Sequence, residues 1–424
     1  MDIYIAKQGE TIADVARLFG VSPYLLAEQN GMNYTQPLAE GQSIVVLFPK
    51  TTYTAKQGDT LFKISEIFGV TLRNLFRNNP KYTSNQNIFE DDTIIIEYKV
   101  SGKQKLTTNG YAYPYINQEI LNSSLSYMTY LSPFTYGFNY NGDLIIPKDE
   151  NLIASAANFK TSTLLHLSTL TENGTFSNEL ASAVLNSEQI QNRLISAVEN
   201  VVFQKGFKGI DIDFEFVLPN ESVLYAQFVE KIKNRLNPQG IVVYSALAPK
   251  TSASQKGNLY EGHNYGLLGN SSNGVLLMTY EWGYTYGPPM AVAPINSVKK
   301  VLEYALSEIK PEKIFLGIPN YGYDWKLPFE KGKSKARSIS NVEAYELALK
   351  YNRKILFDNL SQTPYFNYTD ENGAEHEVWF EDARSVSAKY NLIKEFNLFG
   401  AGFWNLMRPF QTNWSILNSM FDIA

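Results

Sequence analysis

The sequence predicts an α/β fold, a closed (β/α)8 barrel with a small α+β insertion, preceded by two smaller βααβ units. An internal repeat within the first 98 residues indicates the two small units. After the repeat, eight apolar strand-like runs alternate with helical stretches, as in a parallel sheet covered by helices. We therefore expect units at residues 1–48 and 50–98, and a barrel at 106–424 with an insertion near 325–382.

The repeat defines the two N-terminal units. The matching pairs are Tyr4–Thr11 with Tyr53–Thr60, Phe19–Val21 with Phe68–Val70, Asn30 with Asn79, and Ser43–Val46 with Thr93–Ile96. The first three pairs are 49 residues apart and the last is 50 apart, which implies one inserted loop residue. Each unit is expected to contain a strand, two helices and a closing strand. Gly20 and Gly69 stand where the first helices would end.

The barrel prediction depends on eight apolar runs after a short polar link at residues 99–106. These runs are Thr108–Tyr113, Leu125–Leu131, Thr163–Leu170, Gly209–Phe216, Ile241–Ala248, Gly274–Tyr280, Lys313–Pro319 and Leu398–Leu406. Helices are expected near 151–160, 177–205, 221–236, 296–309, 383–396 and 412–421. Eight such repeats over roughly 320 residues indicate a closed barrel.

One interval between the predicted strands is too long for a single connecting helix. Residues 325–382 contain a helical piece, Val342–Tyr351, and strand-like pieces at Tyr365–Tyr368 and Glu377–Phe380. We expect a small α+β insertion here that forms one wall of a cleft.

A row of acidic residues marks the fourth predicted strand. Acidic and apolar residues alternate in Phe207–Phe216, so Asp211, Asp213 and Glu215 share one face of a strand. Three like charges in line repel one another, which favours a functional role over an amphipathic surface strand. Active sites of such barrels lie at the C-terminal ends of the strands, so Glu215 should reach the mouth. Crowding should raise the pKa of at least one carboxyl group, as a general acid requires.

Composition and charge narrow the function classes. The net charge of −5 argues against nucleic acid as the main ligand, and no cysteine is present for disulfides or thiolate chemistry. No apolar run reaches the 18 residues of a membrane span, and Met1–Lys7 lacks the form of a signal peptide. The three histidines, His166, His263 and His376, have no metal-ligand spacing, so we expect no metal and no cofactor.

The repeated units resemble LysM modules, small domains that bind N-acetylglucosamine-containing glycans. The resemblance depends on the Gln-Gly-(Asp/Glu)-Thr turn and on the Asn before the last strand. It implies a glycan groove between the first turn and the loop after the second helix. The groove residues would be Gly9, Glu10, Thr11 and Asn30 in the first unit, and Gly58, Asp59, Thr60 and Asn79 in the second. The alternative is that these residues are only helix caps and turn formers.

The acidic row resembles the Asp-x-x-Asp-x-Asp-x-Glu motif of the glycoside hydrolase family 18 chitinases and related glucosaminidases. Asp211, Asp213 and Glu215 match its last three acids, and Lys208 replaces the first. The SxGG feature of the third strand in this family is missing, and His166-Leu-Ser168 stands there instead.

Further matches lie at the ends of other predicted strands. Met278-Thr-Tyr280 resembles the family's Met-x-Tyr-Asp, with Glu281 in place of the Asp. Trp404 stands where the family has a tryptophan under the reacting sugar. The candidate substrate-binding residues are therefore Tyr111, Met278, Tyr280, Glu281 and Trp404. Aromatic residues such as Tyr280 and Trp404 are more often core residues than ligands. At the ends of barrel strands, however, a substrate-binding role is favoured.

The family resemblance implies a retaining, substrate-assisted mechanism. Glu215 would protonate the glycosidic oxygen, and the substrate's own 2-acetamido carbonyl would attack the anomeric carbon. Asp213 would orient the acetamide, Asp211 would modulate Asp213, and Tyr280 and Trp404 would hold the sugar.

The combination of LysM units and barrel resembles bacterial spore cortex-lytic N-acetylglucosaminidases. That resemblance implies a peptidoglycan partner during germination, and a location in the spore coat, cortex or cell wall reached without a signal peptide. We expect a monomer that binds neither nucleic acid nor membrane.

Three other hypotheses stay open at this point. The barrel could hydrolyse chitin or another N-acetylglucosamine polymer. It could be a non-catalytic, lectin-like glycan-binding protein, although such members typically lack the terminal Glu that is present here as Glu215. Asp211 and Asp213 could also hold Mg or Mn through carboxylates alone.

Overall fold

Eight parallel strands close into a barrel in the computed structural model, which describes residues 1–171 and 174–424. The strands, numbered 1 to 8 along the chain, are Gln104–Ala112, Tyr130–Pro133, Ser162–Ser168, Gly209–Asp213, Val242–Leu247, Gly274–Leu277, Ile314–Pro319 and Gly400–Trp404. Each pairs with its sequence neighbours, and strand 8 also pairs with strand 1, which closes the sheet. The predicted fold class is confirmed.

Amphipathic helices surround the barrel. They are Gln118–Leu125, Glu150–Asn158, Asn178–Leu185, Glu188–Lys205, Ser222–Leu236, Tyr265–Ser271, Ile295–Glu308, Ala383–Glu395 and Gln411–Met420. In Ser222–Leu236, for example, Tyr225, Val229 and Ile232 are buried at helical spacing against the sheet. Short 3₁₀ turns lie at Pro80–Thr83, Pro219–Glu221, Asn237–Gln239 and Pro311–Lys313. None of the helices in residues 1–171 and 174–424 has the length and apolar character needed to cross a membrane.

Several element predictions for the barrel were wrong in their bounds. Leu125 ends a helix, and strand 2 begins only at Tyr130. The boundary was not visible in the sequence, because the buried run continues from helix to strand without a change in composition. The stretch 177–205 is two helices, since the Ser187 side chain caps a second one. The helix Tyr265–Ser271 was missed because it contains two glycines, which lower helix propensity.

Strands 4 and 6 end earlier than the alternation of side chains suggested. Strand 4 stops at Asp213 instead of residue 216, and strand 6 stops at Leu277 instead of residue 280. Beyond each strand the chain turns sharply, with left-handed backbone at Phe216 (φ 58°) and Glu281 (φ 65°). Glu215, Tyr280 and Glu281 therefore lie on the loops that follow these strands, whereas Asp211 and Asp213 lie on strand 4 itself.

The two N-terminal units have the predicted βααβ order. Their elements are Asp2–Ile5, Ile12–Phe19, Pro23–Gln29 and Ser43–Val46, then Pro49–Thr54, Leu61–Phe68, Leu72–Asn78 and Thr93–Tyr98. In each unit the two strands pair antiparallel. Gly20 and Gly69 end the first helices with left-handed backbone (φ 66° and 63°), as predicted.

The N-terminal units pack directly against the barrel. The Ser415 hydroxyl donates to the Gln29 carbonyl (2.6 Å), and the Ala383 amide donates to the Ser43 hydroxyl (3.1 Å). The buried Arg77 guanidinium donates to the carbonyl of Ser126 (2.6 Å) and approaches that of the C-terminal strand. The units are therefore held by a polar interface as well as by the connecting residues.

The α+β insertion is a separate layer beside the barrel mouth. Five antiparallel strands lie in the order Arg337–Ile339, Gly322–Lys326, Glu375–Trp379, Thr363–Thr369 and Leu356–Asp358, and the helix Asn341–Lys350 covers them. A small core around Ile339, Phe366 and Phe380 holds the layer together. Two further short elements are a hairpin, Gly137–Phe138 with Leu144–Ile145, and the strand Phe421–Ile423, which extends the sheet beside strand 1.

Candidate active site

A cavity of about 350 Å³ opens at the C-terminal ends of the barrel strands. Its walls are mainly aromatic and apolar, with a small set of acidic groups and one histidine. The lining residues are Tyr111, Tyr113, Phe134, His166, Leu170, Gly174, Phe176, Asp213, Glu215, Ala246, Leu276, Met278, Tyr280, Glu281 and Trp404. Seven of the eight residues predicted for catalysis and substrate binding therefore line one cavity. The eighth, Asp211, lies beneath it.

The three acids of strand 4 lie at increasing depth. Glu215 follows the strand in the turn and is half-buried, while Asp213 ends the strand and is buried. Asp211 is 1% exposed, and its Oδ2 accepts a hydrogen bond from the Tyr111 hydroxyl at 2.5 Å. The ring of Tyr111 thus lines the cavity while its hydroxyl is used by the innermost acid.

The electrostatics of the site favour a protonated carboxyl group at its mouth. Burial raises the pKa of Glu215 well above its usual range, and the negative charges of Asp213 and Glu281 raise it further. Burial also raises the pKa of Asp211, although nearby His166 and the Tyr111 hydrogen bond oppose this. A Glu that keeps its proton near neutral pH can act as a general acid.

His263 fixes the turn that carries Glu215. Its Nδ1 accepts a hydrogen bond from the Ala248 amide (2.9 Å), so its Nε2 carries the proton and donates to the Phe214 carbonyl (3.0 Å). Burial lowers the pKa of His263 to about 4, so the ring stays neutral in this bridge. The histidine joins the ends of strands 4 and 5 immediately before Glu215.

Glu281 is held at the rim of the cavity by two tyrosines that the sequence analysis did not select. The Tyr321 hydroxyl donates to Glu281, and the Tyr323 hydroxyl lies 3.1 Å from the same oxygen. Both tyrosines directly follow strand 7. Their position after a barrel strand was the signal that could have identified them.

Aromatic and apolar side chains complete the walls. The Trp404 ring lies 4.8 Å from Phe134 and 5.8 Å from Tyr111, measured between ring centroids. Tyr280 is buried beside strand 7, where a Cβ on Gly317 would lie only 2.9 Å from its ring. Glycine at this position therefore allows Tyr280 to approach. Met278 is half-buried and lies between Tyr280 and the end of strand 6.

Most of the predicted LysM residues lie in the first turn of each unit. Glu10 accepts a hydrogen bond from the Tyr4 hydroxyl (2.8 Å), and Asp59 accepts the equivalent bond from Tyr53 (2.8 Å). The next residue in each unit, Thr11 and Thr60, caps the first helix. Gly9 and Gly58 are exposed beside them, each with φ 80°.

Asn30 and Asn79 have a different role from the one expected. Both are buried, and each amide bonds the backbone of the second helix and of the closing strand. Because their donor and acceptor groups are used inside the unit, they join helix to strand instead of facing a glycan groove.

The sequence also allowed a metal site formed by carboxylates alone. Across the residues that the structure describes, no three side chains of the His, Cys, Asp or Glu type are grouped as they would be around a metal ion.

Comparison with known families identifies the class of protein. Residues 131–408 match the glycosyl hydrolases family 18, and residues 4–46 and 53–97 match the LysM domain. The chain therefore belongs to glycosyl hydrolase family 18 and carries two LysM modules. It is a glycoside hydrolase, as predicted.

Individual relatives of the chain indicate a narrower class of protein than the family does. The chain is 40% identical to the cortical fragment-lytic enzyme of Bacillus subtilis (strain 168) over 328 residues. This aligned region covers 76% of each chain. It is 37% identical to the cortical fragment-lytic enzyme of Bacillus cereus, over 100% of this chain and 99% of that one. The crystal structure of the Bacillus cereus spore cortex-lytic enzyme SleL superposes with a TM-score of 0.84 at 34% identity, over 100% of this chain and 99% of that one.

Proposed function

We propose that this protein hydrolyses N-acetylglucosaminyl bonds in peptidoglycan, with spore cortex fragments as the substrate during germination. The observation that carries the proposal is the pairing of Glu215, whose pKa is raised, with Asp213 in one aromatic-lined cavity. The cortex as substrate is supported by full-length similarity to cortical fragment-lytic enzymes.

In the proposed reaction Glu215 donates its proton to the glycosidic oxygen as the bond to the anomeric carbon breaks. The carbonyl oxygen of the substrate's 2-acetamido group attacks that carbon from the opposite face and forms an oxazolinium ring. Asp213 accepts a hydrogen bond from the acetamide N–H and stabilises the positive charge that develops. Glu215, now ionised, then removes a proton from water, which opens the ring with net retention.

The other cavity residues bind the reacting sugar in this proposal. The Tyr280 hydroxyl forms no hydrogen bond with a protein group in the described part of the chain, so it is available to the acetamide carbonyl. Trp404 offers its ring to the sugar face, and Tyr111 fixes Asp211 beneath Asp213. Met278 lines the same wall, and Glu281 contacts substrate at the rim.

The LysM modules supply binding to the polymer. We assign glycan contacts to the first turns, with Gly9, Glu10 and Thr11 in one module and Gly58, Asp59 and Thr60 in the other. Two modules on one chain give avidity for a polymeric glycan. The proposal divides the chain at residues 1–48, 50–98 and 106–424, as a monomer associated with the spore coat, cortex or cell wall.

Product analysis tests the substrate and the bond. Purified cortex fragments and chitin oligomers of matched length are digested separately, and the products are analysed by mass spectrometry after reduction of their new ends. We expect faster cleavage of cortex fragments, with reduced N-acetylglucosamine at the new end. Preferred cleavage of chitin, or a reduced muramic residue, would overturn the choice of substrate or bond.

A further inference from the structure

His166 is the closest basic group to the middle acid of the site. It lies on strand 3 in register with Asp211 and is 1% exposed. Its Nε2 lies 3.5 Å from Oδ2 of Asp213. Among the cavity side chains in residues 1–171 and 174–424, it is the one that can carry a positive charge.

Asp213 needs such a neighbour because it is buried with little other support. It is 5% exposed, and its Oδ1 is buried without a hydrogen-bond partner in the described part of the protein. A buried carboxylate is strongly destabilised unless a donor or a positive charge compensates it. Other groups near it are two acids, which add negative charge, and four side chains that are neutral, namely Asp211 and Glu215, and Tyr111, Tyr225, Tyr280 and His263.

The ring of His166 is itself held in place. Its Nδ1 lies 2.7 Å from the Thr135 hydroxyl oxygen, which is also 2.9 Å from the Ser168 hydroxyl. The rings of Tyr111 and Phe134 pack against the imidazole at centroid distances of 5.5 and 4.8 Å. Thr135 has one hydroxyl proton: it can donate it to Nδ1 of a neutral ring, or donate it to Ser168 while it accepts from Nδ1–H of a protonated ring. In both arrangements Nε2 carries a proton toward Asp213.

We propose that His166 is a positioning residue that orients Asp213 for the acetamide group of the substrate. It directs Nε2–H at Oδ2 and so fixes the orientation of the carboxylate that receives the acetamide. The inference rests on the proposed substrate-assisted reaction. It gives a function to the histidine that stands where the family's third-strand motif is missing.

The test uses His166→Gln and Thr135→Val in the full chain, with His376→Gln as a matched control. His376 contacts Asp324 in the insertion, outside the cavity. Hydrolysis of a 2-acetamido aryl glycoside gives kcat and KM, and inhibition by a thiazoline analogue of N-acetylglucosamine reports how well the charged intermediate is bound. We expect His166→Gln to lower kcat and thiazoline affinity about 10- to 100-fold, with KM within about twofold. Thr135→Val should change both in the same direction by a smaller factor, and His376→Gln should change neither.

A double-mutant cycle with Asp213→Asn separates positioning from general structural support. If His166 acts through Asp213, adding His166→Gln to Asp213→Asn should lower thiazoline affinity less than about twofold further. Additive losses, or wild-type kinetics in both His166→Gln and Thr135→Val, would overturn the inference. Wild-type enzyme that cleaves no 2-acetamido glycoside would instead refute the proposed function.

Discussion

Replacing Glu215 with Gln removes the proton donor while keeping the size of the side chain. General acid–base catalysis typically contributes about 10²- to 10⁴-fold to rate. Glu215 serves in both half-reactions here, and the nearest other rim carboxyl, on Glu281, is bonded to Tyr321 and Tyr323. We therefore expect kcat to fall by about 10³- to 10⁴-fold.

The assay compares two leaving groups on the same N-acetylglucosaminyl donor. A nitrophenyl group leaves without much protonation, whereas a sugar alcohol needs the acid, so Glu215→Gln should impair the sugar substrate more. The control is Glu303→Gln on the exposed face of an outer helix, which should keep wild-type rates. Equal turnover by wild type and Glu215→Gln on the sugar substrate would refute the role of Glu215.

The same substitution has a pH-dependent effect on stability. Since the folded-state pKa of Glu215 is raised, its contribution to stability is present below the unfolded-state pKa of about 4.3 and is lost as pH rises through the folded-state value. Glutamine does not titrate. Glu215→Gln should therefore unfold at a higher temperature than wild type near neutral pH, and this difference should disappear near pH 4. A difference that is independent of pH would contradict the assigned direction of the pKa.

Further predictions concern the cavity wall and the module interface. Tyr280→Phe should lower kcat/KM about 10-fold on 2-acetamido substrates, since one hydrogen bond to the acetamide is lost; an unchanged value would remove that contact. Glu281→Gln should move the alkaline limb of the kcat/KM profile to lower pH, because a negative charge that raises the pKa of Glu215 is removed; a shift to higher pH would contradict this. Arg77→Met should lower the free energy of unfolding by about 1–3 kcal/mol in denaturant titrations, because the Ile423 carbonyl loses the Arg77 donor and the Ser126 carbonyl keeps only that of Arg73. The exposed Arg193→Met control should change it by less than about 0.5 kcal/mol, and equal effects would argue against a specific interface.

The barrel and the acidic row could be predicted because their signals are local. Alternation in Gly209–Asp213 puts Asp211 and Asp213 on one face of the strand. The eight strand–helix repeats predict a barrel, and in a barrel the C-terminal ends of the strands form the mouth. The repeat and its capping glycines were equally visible, since each depends on only a few neighbouring residues.

The remaining features depend on contacts between distant parts of the chain. Strand 4 stops before Glu215 because a turn with left-handed backbone at Phe216 follows, and His263 holds that turn from a later loop. Asn30 resembled a groove residue, but its burial becomes visible only when helix and closing strand meet. The packing of the modules on the barrel likewise could not be predicted, because its contacts join residues that are far apart in the sequence, such as Ser415 and Gln29.

Dependence on the acetamide group is the most direct test of the proposed chemistry. Two aryl disaccharides that differ only at C2 of the reacting sugar, acetamido in one and hydroxyl in the other, are incubated with the enzyme. The anomeric form of the first product is followed by NMR. The proposed mechanism predicts cleavage of the acetamido compound alone, with retention. Comparable cleavage of the hydroxyl compound, or inversion, would contradict it.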